Sequence, residues 1–240
     1  MKKHLFVCAV LSSMLSSTVM AAPINVGVVE YPPHINVKGK AVSGKAIEYV
    51  TNVLKSVGLE PKFTPYTAQR GMAEFQAGRI DLLMPIGEDI KDVKKLSKPL
   101  FHATPGLCFR KDNFISILSA THRFKGLKVG YTDGAVVVGD LADGGAKMVP
   151  IKGKATMKRG IDMLIVNRFD AIYHPDPVKV YNMDSPHYKK IACSYFYGHS
   201  KNVFISASPK LDGGKFDSIN SAFTKALEEK SYEFFFAEGG

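Results

Sequence analysis

Residues 69–86 read QRGMAEFQAGRIDLLMPI, and residues 158–175 read KRGIDMLIVNRFDAIYHP. The two stretches lie 89 residues apart and follow one plan. Each has an Arg-Gly pair (Arg70-Gly71 and Arg159-Gly160), then a second arginine (Arg79 and Arg168). One apolar residue and an aspartate, Asp81 or Asp170, then open an apolar run, with 11 residues from first arginine to aspartate in both copies. A short helix feeding a strand through a polar turn gives this spacing. Its recurrence predicts two lobes of similar plan with a cleft between them. Chance likeness of two αβ units is the alternative.

The flanking sequence carries the same alternation. Residues 24–29 (INVGVV) read as a buried strand that Pro32 and Pro33 stop. Ala46, Ile47, Val50, Val53, Leu54 and Val57 stripe one face of a helix that Gly58 terminates. A short strand over 61–65 precedes the first copied helix, which turns at Gly78 into a strand over 80–84. The pattern restarts after Asp112, with strands over 127–131, 148–151, 191–195 and 203–207. Phe216, Ile219, Phe223 and Leu227 mark a C-terminal helix. Alternating strands and helices predict an α/β fold of two lobes, each a mostly parallel sheet flanked by helices. Two hinge crossings, near 100–104 and 193–198, join them. Lobe I takes residues 22–102 and 199–240, and lobe II takes 103–198.

The first 21 residues stand apart. Lys2, Lys3 and His4 precede an apolar run over 5–15, and small residues follow, with Val19 and Ala21 placed for cleavage before Ala22. This is the pattern of a secretory signal peptide, which predicts a soluble periplasmic protein. Removing it takes away two of the 32 Lys+Arg and none of the 22 Asp+Glu, so the formal charge of the remainder is 30 − 22 = +8. The lysines are scattered, with no arginine-rich block, which argues against nucleic acid as a partner. A hydrophobic content of 45% excludes a disordered chain. Cys108 and Cys193 remain after the leader. An even pair in an exported chain favours a disulfide, and two separate buried thiols are the alternative.

In open α/β sheets ligands sit beyond the carboxyl ends of strands. That rule selects Tyr31 and His34 after the first strand, where a Tyr-Pro-Pro turn offers a rigid aromatic face. It selects Tyr66 and Arg70 at the first copied helix, with Arg70 as the expected anion anchor. Pro85 and Gly87 follow the first aspartate strand. Thr132, Gly134 and Ala135 form the strand-to-helix turn of the second lobe, where free N–H groups make an anion nest. His174 and Asp176 follow the second aspartate strand. Lys91 and Lys94 read as solvated surface, and Asp81 and Asp170 as turn or cap residues away from the cleft. No nucleophile-base order, metal-ligand spacing or phosphate loop appears, so no catalytic residue, metal or cofactor is expected.

Taken in order, these residues resemble the family 3 extracytoplasmic solute-binding proteins, the bilobal periplasmic receptors of amino-acid ABC importers. Tyr31-Pro32-Pro33 is similar to the family's first ligand-contacting loop, and Gly78-Arg79-Ile80-Asp81-Leu82 to its Gly-x-x-Asp strand entry. Ser97-Lys98-Pro99-Leu100 is similar to its hinge entry. Phe124-Lys125-Gly126-Leu127-Lys128-Val129-Gly130 resembles the start of its second lobe, and Asn167-Arg168-Phe169-Asp170-Ala171 its second Asp-Ala strand. The resemblance implies the two-lobed periplasmic-binding-protein fold and a monomer that captures a small polar or anionic ligand, amino-acid-like or an organic acid. An inner-membrane ABC permease or sensor would then read the closed form. Two positions depart from the pattern. The loop over 87–94 lacks the family's carboxylate-gripping arginine, and its amine-binding acid falls at Pro175, beside Asp176. A rival reading is an enzyme, because the chain also resembles periplasmic cyclohexadienyl dehydratases; Glu30, Asp133 or Asp176 would be its cleft acid.

Overall fold

Each copied stretch folds into a helix and a strand, and that strand pairs in parallel with the central strand of its lobe's βαβ unit rather than with the strand just before it. The computed structural model describes residues 22–113, 124–135, 137–153, 155–177 and 187–237. The leader segment and His122 lie outside them. The first lobe begins with β1 (Ala22–Val29), the small ribbon β2 (Asn36–Lys38) and β3 (Ala41–Ser43), and helix α1 (Lys45–Ser56). Strand β4 (Leu59–Tyr66), helix α2 (Ala68–Gln76), β5 (Leu82–Gly87), β6 (Lys94–Lys95) and β7 (Phe101–Ala103) follow. The second lobe holds β8 (Gly106–Arg110), β9 (Lys128–Thr132), α3 (Gly139–Asp143), β10 (Lys147–Ile151), α4 (Thr156–Ile165), β11 (Ala171–His174) and β12 (Ile191–Tyr195). The chain then returns to the first lobe as β13 (Lys201–Ala207), α5 (Gly213–Glu229) and α6 (Tyr232–Ala237).

One sheet runs β4-β1-β5-β13-β6, with β7 also on β13, and the other runs β10-β9-β11-β8-β12. The pairs β1–β4, β1–β5, β9–β10 and β9–β11 are parallel, as βαβ units require. The returning strands β13, β8 and β12 pair antiparallel. Each sheet is therefore mixed, because a chain that leaves a lobe and re-enters it arrives running the other way. The crossings lie side by side: the Phe196 N–H donates to the Pro105 carbonyl at 2.8 Å, and the hydroxyls of Thr104 and Ser200 are 2.9 Å apart.

The duplication reaches the hydrogen bonds. Asp81 Oδ2 accepts the Asn25 N–H of β1 at 2.7 Å, and Asp170 Oδ2 accepts the Lys128 N–H of β9 at 2.8 Å. In return the Asp81 and Asp170 N–H groups donate to the Asn25 and Lys128 carbonyls, each at 2.9 Å. Each aspartate thus pins its strand to the neighbour before the ladder begins. Two residues further on, glycine lets the preceding apolar residue in. A Cβ at Gly27 would stand 2.3 Å from Ile80, and one at Gly130 would stand 2.8 Å from Phe169.

Both faces of the sheets are covered, as period-two alternation demands. Leu82 and Met84 of β5 face the core under α1 and α5, with Ile219 and Phe223. Leu83 and Ile86 face the other way, onto Phe75 of α2. In the second lobe Leu107 and Phe109 pack with Val129 and Leu141, while Cys108 packs with Ile161 and Leu164 of α4. Cys108 and Cys193, paired in register on β8 and β12, form a disulfide.

Candidate functional site

The carboxyl ends of β1, β5, β9 and β11 converge on a cleft of about 530 Å3 between the two sheets. Such a volume falls in the range of small-molecule sites, ~300–1,000 Å3. A smaller recess of about 200 Å3 adjoins it, sharing Glu30, Ala68, Gln69, Thr132 and Thr156. The lobes touch where the turn after β9 meets the start of α2. Gly134 there has φ +83°, and a Cβ on it would stand 2.9 Å from the Ala68 side chain.

Most of the expected contacts gather here. Tyr31, Pro85, Gly87, Thr132, Gly134, Ala135 and His174 line the cleft, and Tyr66 lines the recess. Three do not. Arg70 is exposed and extends over the Tyr66 ring, its guanidinium carbon 6.0 Å from the centroid. It stands on α2, whose residues Ala68, Gln69, Met72, Ala73 and Gln76 line the cleft while Arg70 does not. The helix phase therefore turns the expected anion anchor aside. His34 and Asp176 are buried behind the wall, at 1% and 3% exposure. They bond each other rather than a ligand: His34 Nε2 lies 3.4 Å from Asp176 Oδ2, and His34 Nδ1 lies 2.7 Å from the Tyr232 hydroxyl. The His34 ring stacks on Phe101 at 4.3 Å. Loop residues of both lobes thus close the back of the cleft with one buried polar cluster.

His174 links that cluster to the cleft. Its Nδ1 accepts the Asp176 N–H at 2.8 Å, which fixes the proton of the neutral ring on Nε2. Burial pushes the imidazole from its usual 6.5 down to about 3, and the neighbouring His34 acts in the same direction. Burial also raises the Tyr31 hydroxyl well above its ordinary 10, helped by the Asp176 charge, so it remains protonated. The Tyr31 hydroxyl oxygen is buried without a hydrogen-bond partner among the described residues. The wall therefore presents neutral polar groups at Tyr31, His174 and Thr132, set among Met72, Leu83, Ile86 and Met157.

Sequence reasoning passed over several lining residues. Gln69, Met72 and Met157 lie on the copied helices, Tyr173 on the second copied strand, and Asp89 and Lys201 at the cleft's edge, ion-paired with each other. The duplication would have flagged a further lining residue, Thr156, which stands 89 residues after Thr67; Thr67 caps the first copied helix, while Thr156 is the first residue of the second, after Ala155. Thr156 Oγ1 bonds Thr132 Oγ1 at 2.8 Å, tying that helix to the second lobe's turn. Lys91 and Lys94 are exposed, Lys94 lying over the Phe216 ring.

No protein-family model matches the chain, and no curated protein matches it in sequence. Solved structures do. The ligand-binding core of GluR0 in complex with L-glutamate superposes with a TM-score of 0.75 at 15% identity, covering 91% of this chain and 98% of that one. An ancestral arginine-binding protein bound to arginine gives 0.73 at 19% identity, over 91% and 98%. The amino-acid ABC-transporter substrate-binding protein AbpA from Streptococcus pneumoniae, bound to L-arginine, gives 0.72 at 17%, over 90% and 94%. An ancestral amino-acid-binding protein described as a precursor of cyclohexadienyl dehydratase gives 0.71 at 17%, over 90% and 94%. The chain has the two-lobed periplasmic-binding-protein fold.

Proposed function

We propose that this chain is a solute-binding protein that takes one small molecule into the interlobe cleft outside the cytoplasm. One observation carries the reading: the cleft is walled by strand ends of both sheets, so a molecule inside it touches both lobes at once. Closure about the paired crossings would strip water from the solute and present a closed form to an inner-membrane permease or sensor. No helix among the described residues is long and apolar enough to cross a membrane, and the leader pattern of the first 21 residues supports export.

Tyr31, Gln69, Thr132, Gly134 and His174 are the contacts we assign. Thr132 and the turn N–H groups serve from the second lobe, while Tyr31 and Gln69 serve from the first. A binding role is preferred to an enzymatic one because the matching structures named above are ligand-binding proteins; of the three candidate cleft acids Asp176 is engaged by His34, while Glu30 and Asp133 line the cleft or its recess. Isothermal titration of a panel of amino acids, organic acids, amines and amides tests the proposal. One-to-one binding that a Tyr31→Ala substitution weakens supports it. Turnover of prephenate without saturable binding of any panel member would replace it with the dehydratase reading.

A further inference from the structure

Both lobes wall the cleft with neutral donors. His174 ends β11, lines the cleft and is 2% exposed. Its Nδ1 is turned back onto the Asp176 N–H at 2.8 Å, so the neutral ring carries its proton on Nε2, at the opposite edge. Among the described residues nothing accepts that N–H. The Tyr31 ring, from the first lobe, lies 6.0 Å from the His174 ring, and its hydroxyl is also buried without a partner among the described residues. A buried donor left without an acceptor is destabilising, and an acceptor on a ligand removes that penalty. The charged residues lining the cleft are already matched: Lys201 pairs with Asp89, and Glu30 has a partner. Asp133 lines only the recess. The polar lining on α2 is uncharged, with the Gln69 and Gln76 amides on one helix face and Met72 and Ala73 between them.

We infer that the cleft takes an uncharged solute: a ring-sized apolar body seated among Met72, Leu83, Ile86 and Met157, carrying a carbonyl oxygen that accepts the His174 Nε2–H. The inference deepens the binding-protein reading and rests on it. Burial holds the His174 ring neutral down to about pH 3, so the donor is present at every physiological pH. A carboxylate could accept the same N–H, but it would give up water with no unpaired cation to meet it among the described residues. An ammonium would bring donors to a donor and lose its water in the same way. The glutamine amides of α2 both donate and accept, so they serve an uncharged polar group of either sense. His174 is the contact that sets the class, because without its N–H that part of the wall is apolar.

Four probes that share a phenylpropyl body separate the charge classes: 3-phenylpropanamide, 3-phenylpropanoate, 3-phenylpropylamine and phenylalanine. Titrated calorimetrically into the protein without its leader, the amide is expected to bind at least about tenfold tighter than each charged probe. His174→Phe keeps a ring but not the N–H. Checked for an unchanged melting temperature, it should weaken the amide at least about tenfold and the amine, which offers that N–H no acceptor, by less than about threefold. If a charged probe matches or beats the amide, the ligand class is overturned and the binding-protein reading survives. If His174→Phe binds the amide as tightly as the parent does, the His174 contact is wrong. If no probe and no member of the broader solute panel binds, both readings fall together. The order among the probes on the unaltered protein decides the ligand class even if the variant fails to fold.

Discussion

Asp81→Ala and Asp170→Ala remove the same interaction from two lobes, and the structure says how much each should cost. Asp81 Oδ2 accepts the Asn25 N–H at 2.7 Å and lies 3.4 Å from the Asn25 side-chain nitrogen. Asp170 Oδ2 accepts the Lys128 N–H at 2.8 Å, its one side-chain bond among the described residues, and is the more exposed of the two. A hydrogen bond to an ionised acceptor contributes about 1.5–3 kcal/mol. Solvent at both positions lowers these values, to about 1.5–2 kcal/mol for Asp81 and about 1 kcal/mol for the more exposed Asp170. For a chain of this size each kcal/mol lowers the melting temperature by about 2–4 °C. Thermal unfolding followed by circular dichroism should therefore show Asp81→Ala down by about 3–8 °C and Asp170→Ala by about 2–4 °C. Asparagine at either site keeps an acceptor but not the charge, and charge-assisted bonds are about twice as strong as neutral ones. Asp81→Asn and Asp170→Asn should then lose about half as much. If the alanine variants melt with the parent, or the asparagine variants are as damaged as the alanine ones, the strand-pinning role is wrong.

Three further outcomes follow from the geometry. The disulfide closes a loop with a sequence separation of 85, a restraint of up to about 4.5 kcal/mol on the unfolded chain, so the Cys108→Ala/Cys193→Ala variant should lose about 3–4 kcal/mol in urea unfolding. His174, held near 3 when folded, binds no proton at pH 5, whereas the unfolded chain takes one up below about 6.5. Its contribution is fully present above 6.5 and is lost as pH falls toward 3, so His174→Gln should flatten the fall in urea midpoint over that window; parallel curves would contradict the assignment. Ala68 faces Gly134 across the lobe contact, so Ala68→Leu should wedge the lobes and weaken binding at least tenfold while the ligand-free melting temperature moves by less than about 2 °C.

The repeated Arg-Gly to Asp interval was legible because both copies must do the same local work. The glycine of each copied helix packs on its sheet: Gly71 approaches Leu83 and Tyr66, and Gly160 approaches Ile151 and Ile172. Strand 191–195 was read with its observed ends because it is short, apolar and bounded. The β5 strand was read two residues early. Ile80 and Asp81 are spent pinning β1, and the ladder begins only at Leu82. The parallel core of each sheet, β4-β1-β5 and β10-β9-β11, was legible in the alternation of strands and helices, whereas the antiparallel additions β13, β8 and β12 depend on the route of the chain between lobes, which no local pattern records. Arg70 was misjudged for a similar reason. Its position at the helix start is local, whereas the side that faces the cleft is set by how α2 packs. His34 and Asp176 were chosen as polar residues after strands, and only tertiary packing shows that each is the other's partner. Lys201 and Asp89, 112 residues apart, carry no sequence sign of their pairing.

The central claim is that one small molecule binds between the two sheets. Gly87 lines the cleft, and a Cβ built on it meets nothing within 4 Å, so Gly87→Trp should fill the site and leave the fold intact. A solute at about 100 times its Kd stabilises the folded protein by about 2.7 kcal/mol, or about 5–11 °C here. In a thermal-shift screen of amides, amines, amino acids and organic acids, the account predicts a solute that raises the parent's melting temperature by that amount. The same solute should leave Gly87→Trp unmoved. Equal stabilisation of both proteins would place the binding site elsewhere and contradict the account.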